Sequence, residues 1–258
     1  MTPWVCPLCG QAGKRTREHV WPKWLADLFG VRLTPVKMQT ELTTPALDRW
    51  SRGFDLVIWI CQTCNNDWLS DLEAEMKAAF SEEILIGNPR TIPADQLTLL
   101  ARWAAKTALF LNILMPNFGG LAYMPDGHLA ELSQGVPRGT VVWLGVYDPS
   151  TYFTRWWMGR LDPIDSPPDA GELGLGSAYV CLFHVGHLLF QVLGGQPGPA
   201  NTLLIDGVDE NALHAIWPLP ESGNVDWPDT IPVDDKWCSA YWPPKNMTVQ
   251  SLRIVVMI

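Results

Sequence analysis

After Cys64 the apolar residues Leu69, Leu72, Met76 and Phe80 recur three or four positions apart, with Asp71, Glu73, Glu75 and Lys77 mostly between them. That spacing predicts an amphipathic helix to about Phe80, because one face of a 3.6-residue helix collects every third or fourth side chain. Just before it, Phe54-Asp55-Leu56-Val57-Ile58-Trp59-Ile60 reads as a strand that runs into Cys61 and Cys64. Gly87-Asn88-Pro89 closes this region, and a second helix is predicted from about Ala94 to Leu114. Its apolar run, Leu97 to Met115, has the length of a membrane span. Arg102 and Lys106 stand near the middle, which favours a helix buried in a protein core.

From about residue 140 the texture changes. The stretches Thr140 to Tyr147, Tyr152 to Met158, Tyr179 to Val192 and Val249 to Met257 are rich in β-branched and aromatic residues, with Pro, Gly and Asp clusters between them. They predict a mainly antiparallel sheet. Residues 24 to 53 are only weakly periodic and are broken at Thr34-Pro35 and Thr43-Thr44-Pro45, so they read as an insertion within a hairpin. The expectation is an α+β chain. A small module would occupy residues 1–90, and residues 91–258 would form a helix plus a mainly antiparallel β domain.

At 258 residues and 47% hydrophobic composition the chain can bury a large core. The start, Met1 to Cys6, lacks the basic and apolar run of a signal peptide, so the expected compartment is the cytoplasm, with no membrane partner. Four of the six cysteines fall in Cys-x-x-Cys pairs, a spacing that fits zinc in a reducing compartment better than a disulfide framework. Cys181 and Cys238 read as buried structural thiols. A net charge of −9 excludes a protein that coats nucleic acid by bulk attraction. The first forty residues nevertheless hold Lys14, Arg15, Arg17, Lys23, Arg32 and Lys37 against only Glu18 and Asp27. Lys14, Arg15, Arg17 and Lys23, interleaved with Trp21 and Trp24, are candidate nucleic-acid contacts. The alternatives are a solvated basic surface and tryptophans that belong to the core.

Cys6-x-x-Cys9 and Cys61-x-x-Cys64 supply four thiolates for one tetrahedral Zn²⁺, a kind of site used for binding as often as for catalysis. Glu18-His19 lies between the pairs and Asn65 directly follows the second. An imidazole can take a proton from water near neutral pH, and a carboxylate beside it can hold a divalent cation. An amide oxygen from Asn65 can complete the ligand set without adding charge, which suits Mg²⁺. Phosphodiester hydrolysis needs both functions. The plain alternatives are a solvated Glu-His turn and an Asn that caps a helix.

The order Cys6-x-x-Cys9, Glu18-His19-Val20-Trp21-Pro22, Cys61-x-x-Cys64-Asn65 resembles the zinc-stapled members of the HNH endonuclease family, over about residues 4 to 80. The resemblance implies a ββα-metal fold, a structural Zn²⁺ on Cys6, Cys9, Cys61 and Cys64, and a catalytic Mg²⁺ or Mn²⁺ held by Glu18 and Asn65. It makes His19 the general base and nucleic acid, DNA first, the substrate. Two features depart from the pattern. The stretch between His19 and Asn65 is longer than in compact members, and the family's last histidine is absent: no histidine follows until His128, Asn66, Asp67, Trp68 and Glu73 are the nearby candidates, and Asn commonly fills that position in the zinc-stapled group. Glu73 is expected to be a solvated helix residue rather than an extra ligand. The competing reading is a non-catalytic zinc module that binds nucleic acid or protein. The C-terminal half, whose His184 and His187 would point to opposite faces of a strand, carries no readable chemistry and is left to target recognition, a homodimer contact or a regulatory partner.

Overall fold

Strand β1 (Arg15–His19) and strand β4 (Val57–Cys61) pair antiparallel, with Arg15 opposite Cys61 and His19 opposite Val57. The insertion between them contains helix α1 (Lys23–Phe29), strand β2 (Pro35–Thr40) and strand β3 (Arg49–Arg52). The computed structural model describes residues 3–30, 35–40, 49–52, 56–118, 123–148, 154–161, 178–195, 208–242, 249–252 and 254–257. The turn expected at Thr43-Thr44-Pro45, and Phe54-Asp55 and Tyr152-Phe153 at the starts of two expected strands, lie outside these residues.

From Cys61 the chain passes into helix α2 (Gln62–Asn66) and then helix α3 (Trp68–Ile86). The stripe Leu69, Leu72, Met76 and Phe80 is buried as its spacing predicts, and Ile84 extends it by one turn. Each such side chain contributes about 1.5–3 kcal/mol when fully buried. Strand β5 (Arg90–Pro93) leads into helix α4 (Ala94–Leu114), whose bounds match the predicted helix. A 3₁₀ turn (Met115–Phe118) and the short helix α5 (His128–Glu131) follow. By length and composition α4 is apolar enough to cross a membrane, but 78% of its most apolar window is buried inside the fold. Every side chain from Trp103 to Asn112 is buried, as in a helix surrounded by other elements.

The element that surrounds it is a six-stranded antiparallel sheet. It comprises β6 (Thr140–Val146), β7 (Thr154–Leu161), β8 (Ala178–Val185), β9 (Leu188–Gly195), β10 (Leu213–Trp217) and β12 (Val249–Leu252), in the order β10-β6-β9-β8-β7-β12. Strand β11 (Asn224–Trp227) pairs with β5, and β13 (Ile254–Met257) joins β2 and β3 in a three-stranded sheet. Helix α6 (Asp235–Tyr241) belongs to a second apolar cluster, with Trp157, Leu182 and Leu189, on the sheet face away from α4.

Trp103 of α4 meets Phe183 and Phe190 of the sheet at centroid distances of 6.3 and 6.0 Å, and Trp21, two residues past His19, reaches the same Phe183 at 5.8 Å. One cluster of buried side chains therefore runs from Cys6 to Trp227 and crosses residue 90 without a break. The Gly186-His187 turn between β8 and β9 seats on the end of α3, where His187 N donates to Ile84 O at 3.0 Å. Gly186 has φ of 54°, and a Cβ there would stand 1.9 Å from Ile84 O. Only glycine satisfies both conditions. The chain is thus a mixed α+β protein built on antiparallel sheets, and the end of β1 is fixed to the core by Val20 and Trp21, both fully buried.

Candidate metal and catalytic site

The first cysteine pair sits in a tight knuckle. Gly10 N donates to Cys6 O at 2.8 Å and Cys6 N to Gln11 O at 2.9 Å, while Val5 and Ala12 form an antiparallel bridge. The second pair spans the end of β4 and the first turn of α2. There Cys61 Sγ caps the helix by accepting from Cys64 N at 3.4 Å, and Cys61 N donates to Cys6 Sγ at 3.3 Å. All four sulfurs lie within 4.8 Å of one another, and Cys9 Sγ is 3.7 Å from Cys61 Sγ. Sulfurs held about 2.3 Å from one central zinc stand roughly 3.8 Å apart, so the cluster fits a tetrahedral ion such as zinc.

The titration of the thiols agrees with that fit. Burial opposes ionisation of Cys6, yet the backbone N–H groups of Cys61, Cys9 and Leu8 outweigh it and bring the thiol down to about 7. Burial and the neighbouring Cys61 and Cys9 push the Cys64 thiol up. Crowded sulfurs that cannot all ionise alone are the electrostatic setting in which a cation replaces protons.

At the other end of β1, a cleft of about 380 Å³ is lined by Glu18, His19, Asn65, Arg17, Lys23 and Glu73 among others. The three residues expected to form one site thus share one cleft. Thr16 Oγ1 donates to Ile60 O at 3.2 Å and so can accept from Asn65 Nδ2, 3.1 Å away; Arg17 O accepts from the same nitrogen at 3.2 Å. The Arg17 carbonyl can only accept, and with Thr16 Oγ1 it orients the amide and leaves Oδ1 as the atom able to ligate a cation. Asn65 does not cap a helix, since Cys61 does so for α2. Glu18 is half-buried. Burial pushes its carboxyl up to about 7, against the pull of Lys106 and with the repulsion of Glu73.

Glu73 is where the structure corrects the sequence reading, because its carboxylate is buried rather than solvated. Lys106 Nζ donates to Oε1 at 2.6 Å, Trp24 Nε1 to Oε2 at 2.9 Å, and Trp103 Nε1 to both oxygens at 3.1 Å. Three donors, one of them the Trp103 N–H shared between both oxygens, and the Lys106 charge occupy this carboxylate, so Glu73 is a structural hub. Lys106, fully buried, also lies 3.4 Å from Val20 O, directly after His19. The signal for this hub was present in the spacing, since position 73 is four residues after Leu69 and three before Met76, on the buried stripe.

The basic residues divide. Arg17 and Lys23 line the cleft, Lys14 borders a larger hollow beside the thiols, and Arg15 lies over the rings of Trp4 and Trp59. Trp21 is core, and Trp24 serves Glu73 at the edge of the cleft. In the sheet His184 is fully buried and stacked on Tyr147 at 3.6 Å, while His187 lies in the turn after the strand rather than on it. Burial brings the His184 imidazole down to about 3. Comparison with protein-family models, curated proteins and solved structures gives no match to this chain.

Two outcomes follow from this geometry. Cys61→Ser removes a ligand, a helix cap and a strand end together, so zinc content by elemental analysis is expected to fall from about one equivalent to less than about a tenth, with a lower melting temperature; full zinc content would detach Cys61 from the cluster. Glu18 binds its proton more tightly folded than unfolded, so its contribution to stability declines as pH rises from about 4.5 to about 7. Without divalent cations, Glu18→Gln is expected to melt with the wild type at pH 4 and above it at pH 8. Allowing for solvent screening in the open cleft, the gain is about 1 kcal/mol, roughly 2–4 °C. Parallel melting curves at both pH values would contradict it.

Proposed function

We propose that the chain is a metal-dependent endonuclease of the HNH type that hydrolyses phosphodiester bonds in nucleic acid, DNA first. The observation that carries this reading is the convergence of Glu18, His19 and Asn65 on one cleft that Arg17 and Lys23 also line. In the reading, β1, β4 and the helices after Cys61 are the ββα-metal unit, and a structural Zn²⁺ on the four thiols holds its two ends together. The Glu18 carboxylate and Asn65 Oδ1 would hold a Mg²⁺ or Mn²⁺, which would supply stabilisation of charge on the scissile phosphate and the leaving oxygen. The donor set suits such an ion, being oxygen only, one anionic and one neutral.

The chain's own residues do the rest. His19 takes the proton from the attacking water. Arg17 and Lys23 hold phosphate oxygens at the mouth of the cleft, and Asn65 is kept in place by Thr16. Six cysteines without a disulfide among them suit a reducing compartment, for which we take the cytoplasm. The sheet beyond residue 90 is assigned to target recognition or to contact with a second copy or a regulatory partner.

The test is cleavage of supercoiled plasmid and single-stranded DNA in Mg²⁺ or Mn²⁺. His19→Ala is expected to lower the rate by about 100-fold or more with zinc content unchanged. Equal rates would remove His19 from the mechanism. A wild type that binds nucleic acid but cuts none of it under these conditions would leave a zinc module that only binds.

A further inference from the structure

Side chains alternate along paired strands, so the β1–β4 ribbon has two faces. Ile58 and Ile60 turn inward and are buried, whereas Trp59 between them turns outward and is 45% exposed. Among the described side chains no other aromatic ring is exposed. Arg17 is its partner across the ribbon, and Arg15 lies diagonal to it, with the guanidinium 4.5 Å from the centre of the Trp59 ring and 5.4 Å from that of Trp4. The face shared by Arg15, Arg17 and His19 with Val57, Trp59 and Cys61 carries no carboxylate, although the whole chain is acidic at −9. Arg17 also lines the cleft, and His19 stands two residues further along the strand, about 7 Å away.

We propose that this outer face is a stacking platform for an unpaired nucleic-acid base, with Trp59 as the ring on which the base rests and Arg15 and Arg17 as contacts to the flanking phosphates. The charge selects a polyanion, and the indole narrows the choice. In a duplex the faces of the bases are covered by their neighbours, so cations alone would serve; an exposed ring beside two guanidinium groups matches a strand whose bases are splayed out. The platform lies roughly one to two nucleotides from His19. A single-stranded or locally opened segment would therefore enter the cleft from the ribbon. This inference rests on the nuclease reading only in taking that cleft as the place where the strand is cut.

Binding is measured by fluorescence anisotropy without divalent cations, using labelled oligo-dT and a blunt duplex of equal length. Trp59→Ala is expected to weaken single-strand binding by about 5- to 100-fold, the range for one lost base stack, and to leave duplex binding within about twofold. Trp59→Phe keeps a ring and is expected to retain most of the affinity. Arg17→Ala is expected to weaken both and to flatten the salt dependence. Wild-type affinity in Trp59→Ala, or an equal loss on both probes, would overturn the platform. So would a wild-type protein that binds neither probe, a result that points to a protein partner instead. A wild type that binds through the platform as expected but cuts no nucleic acid tells against the nuclease reading alone.

Discussion

Four thiols meeting at one point set the geometry on which the rest of the N-terminal region depends. Cys9 and Cys61 are 52 positions apart, and the segments they end are the ones that present Glu18, His19 and Asn65. Closing a loop of that length costs roughly 4 kcal/mol in chain entropy. A structural zinc bound by the four thiolates would contribute about 10–16 kcal/mol near neutral pH, enough to offset the closure and the ordering of the knuckle. The strand pairing Arg15 to Cys61 and His19 to Val57 then carries that fixed point along β1 to the cleft.

The far end of the strand is held by a different kind of interaction. Lys106 and Glu73 form an ion pair at 2.6 Å inside the core, and Trp24, Trp103 and Val20 O complete the set of contacts around it. A buried pair adds little net stability compared with an apolar substitute, but removing one partner leaves a buried charge uncompensated at about 3–5 kcal/mol. Its effect here is positional: α1, α3, α4 and the residue after His19 all touch one pair of charges. Burial is the main reason the Glu18 carboxyl favours a proton or a cation; the nearby Lys106 opposes that shift and the Glu73 carboxylate adds to it.

Much of this was legible in the sequence, and what escaped did so for identifiable reasons. Helix α4 and the apolar stripe of α3 follow from periodicity, because burial on one face leaves a repeat in the chain. The cysteine cluster was legible because two x-x spacings encode two halves of a tetrahedron. Helix α1 was missed although Pro22 precedes it and Gly30 ends it in the left-handed conformation (φ 68°), since seven residues are too few for a clear repeat. Glu73 looked solvated because polar residues flank it, and its partner Lys106 is 33 positions away, a pairing that only the packing of α3 on α4 creates. Trp59 lies in an unbroken apolar run, so nothing in the run says which ring faces water.

The central claim is that a metal-clamped knuckle and a buried ion pair, one at each end of β1, bring a carboxylate, an imidazole and an amide to a single hydrolytic cation. Anomalous diffraction from crystals soaked in manganese tests it most directly. The account predicts one zinc peak among Cys6, Cys9, Cys61 and Cys64 and a separate manganese peak bonded to the Glu18 carboxylate and Asn65 Oδ1. Manganese bound elsewhere, or a cleft that takes up none at millimolar concentration, would contradict it.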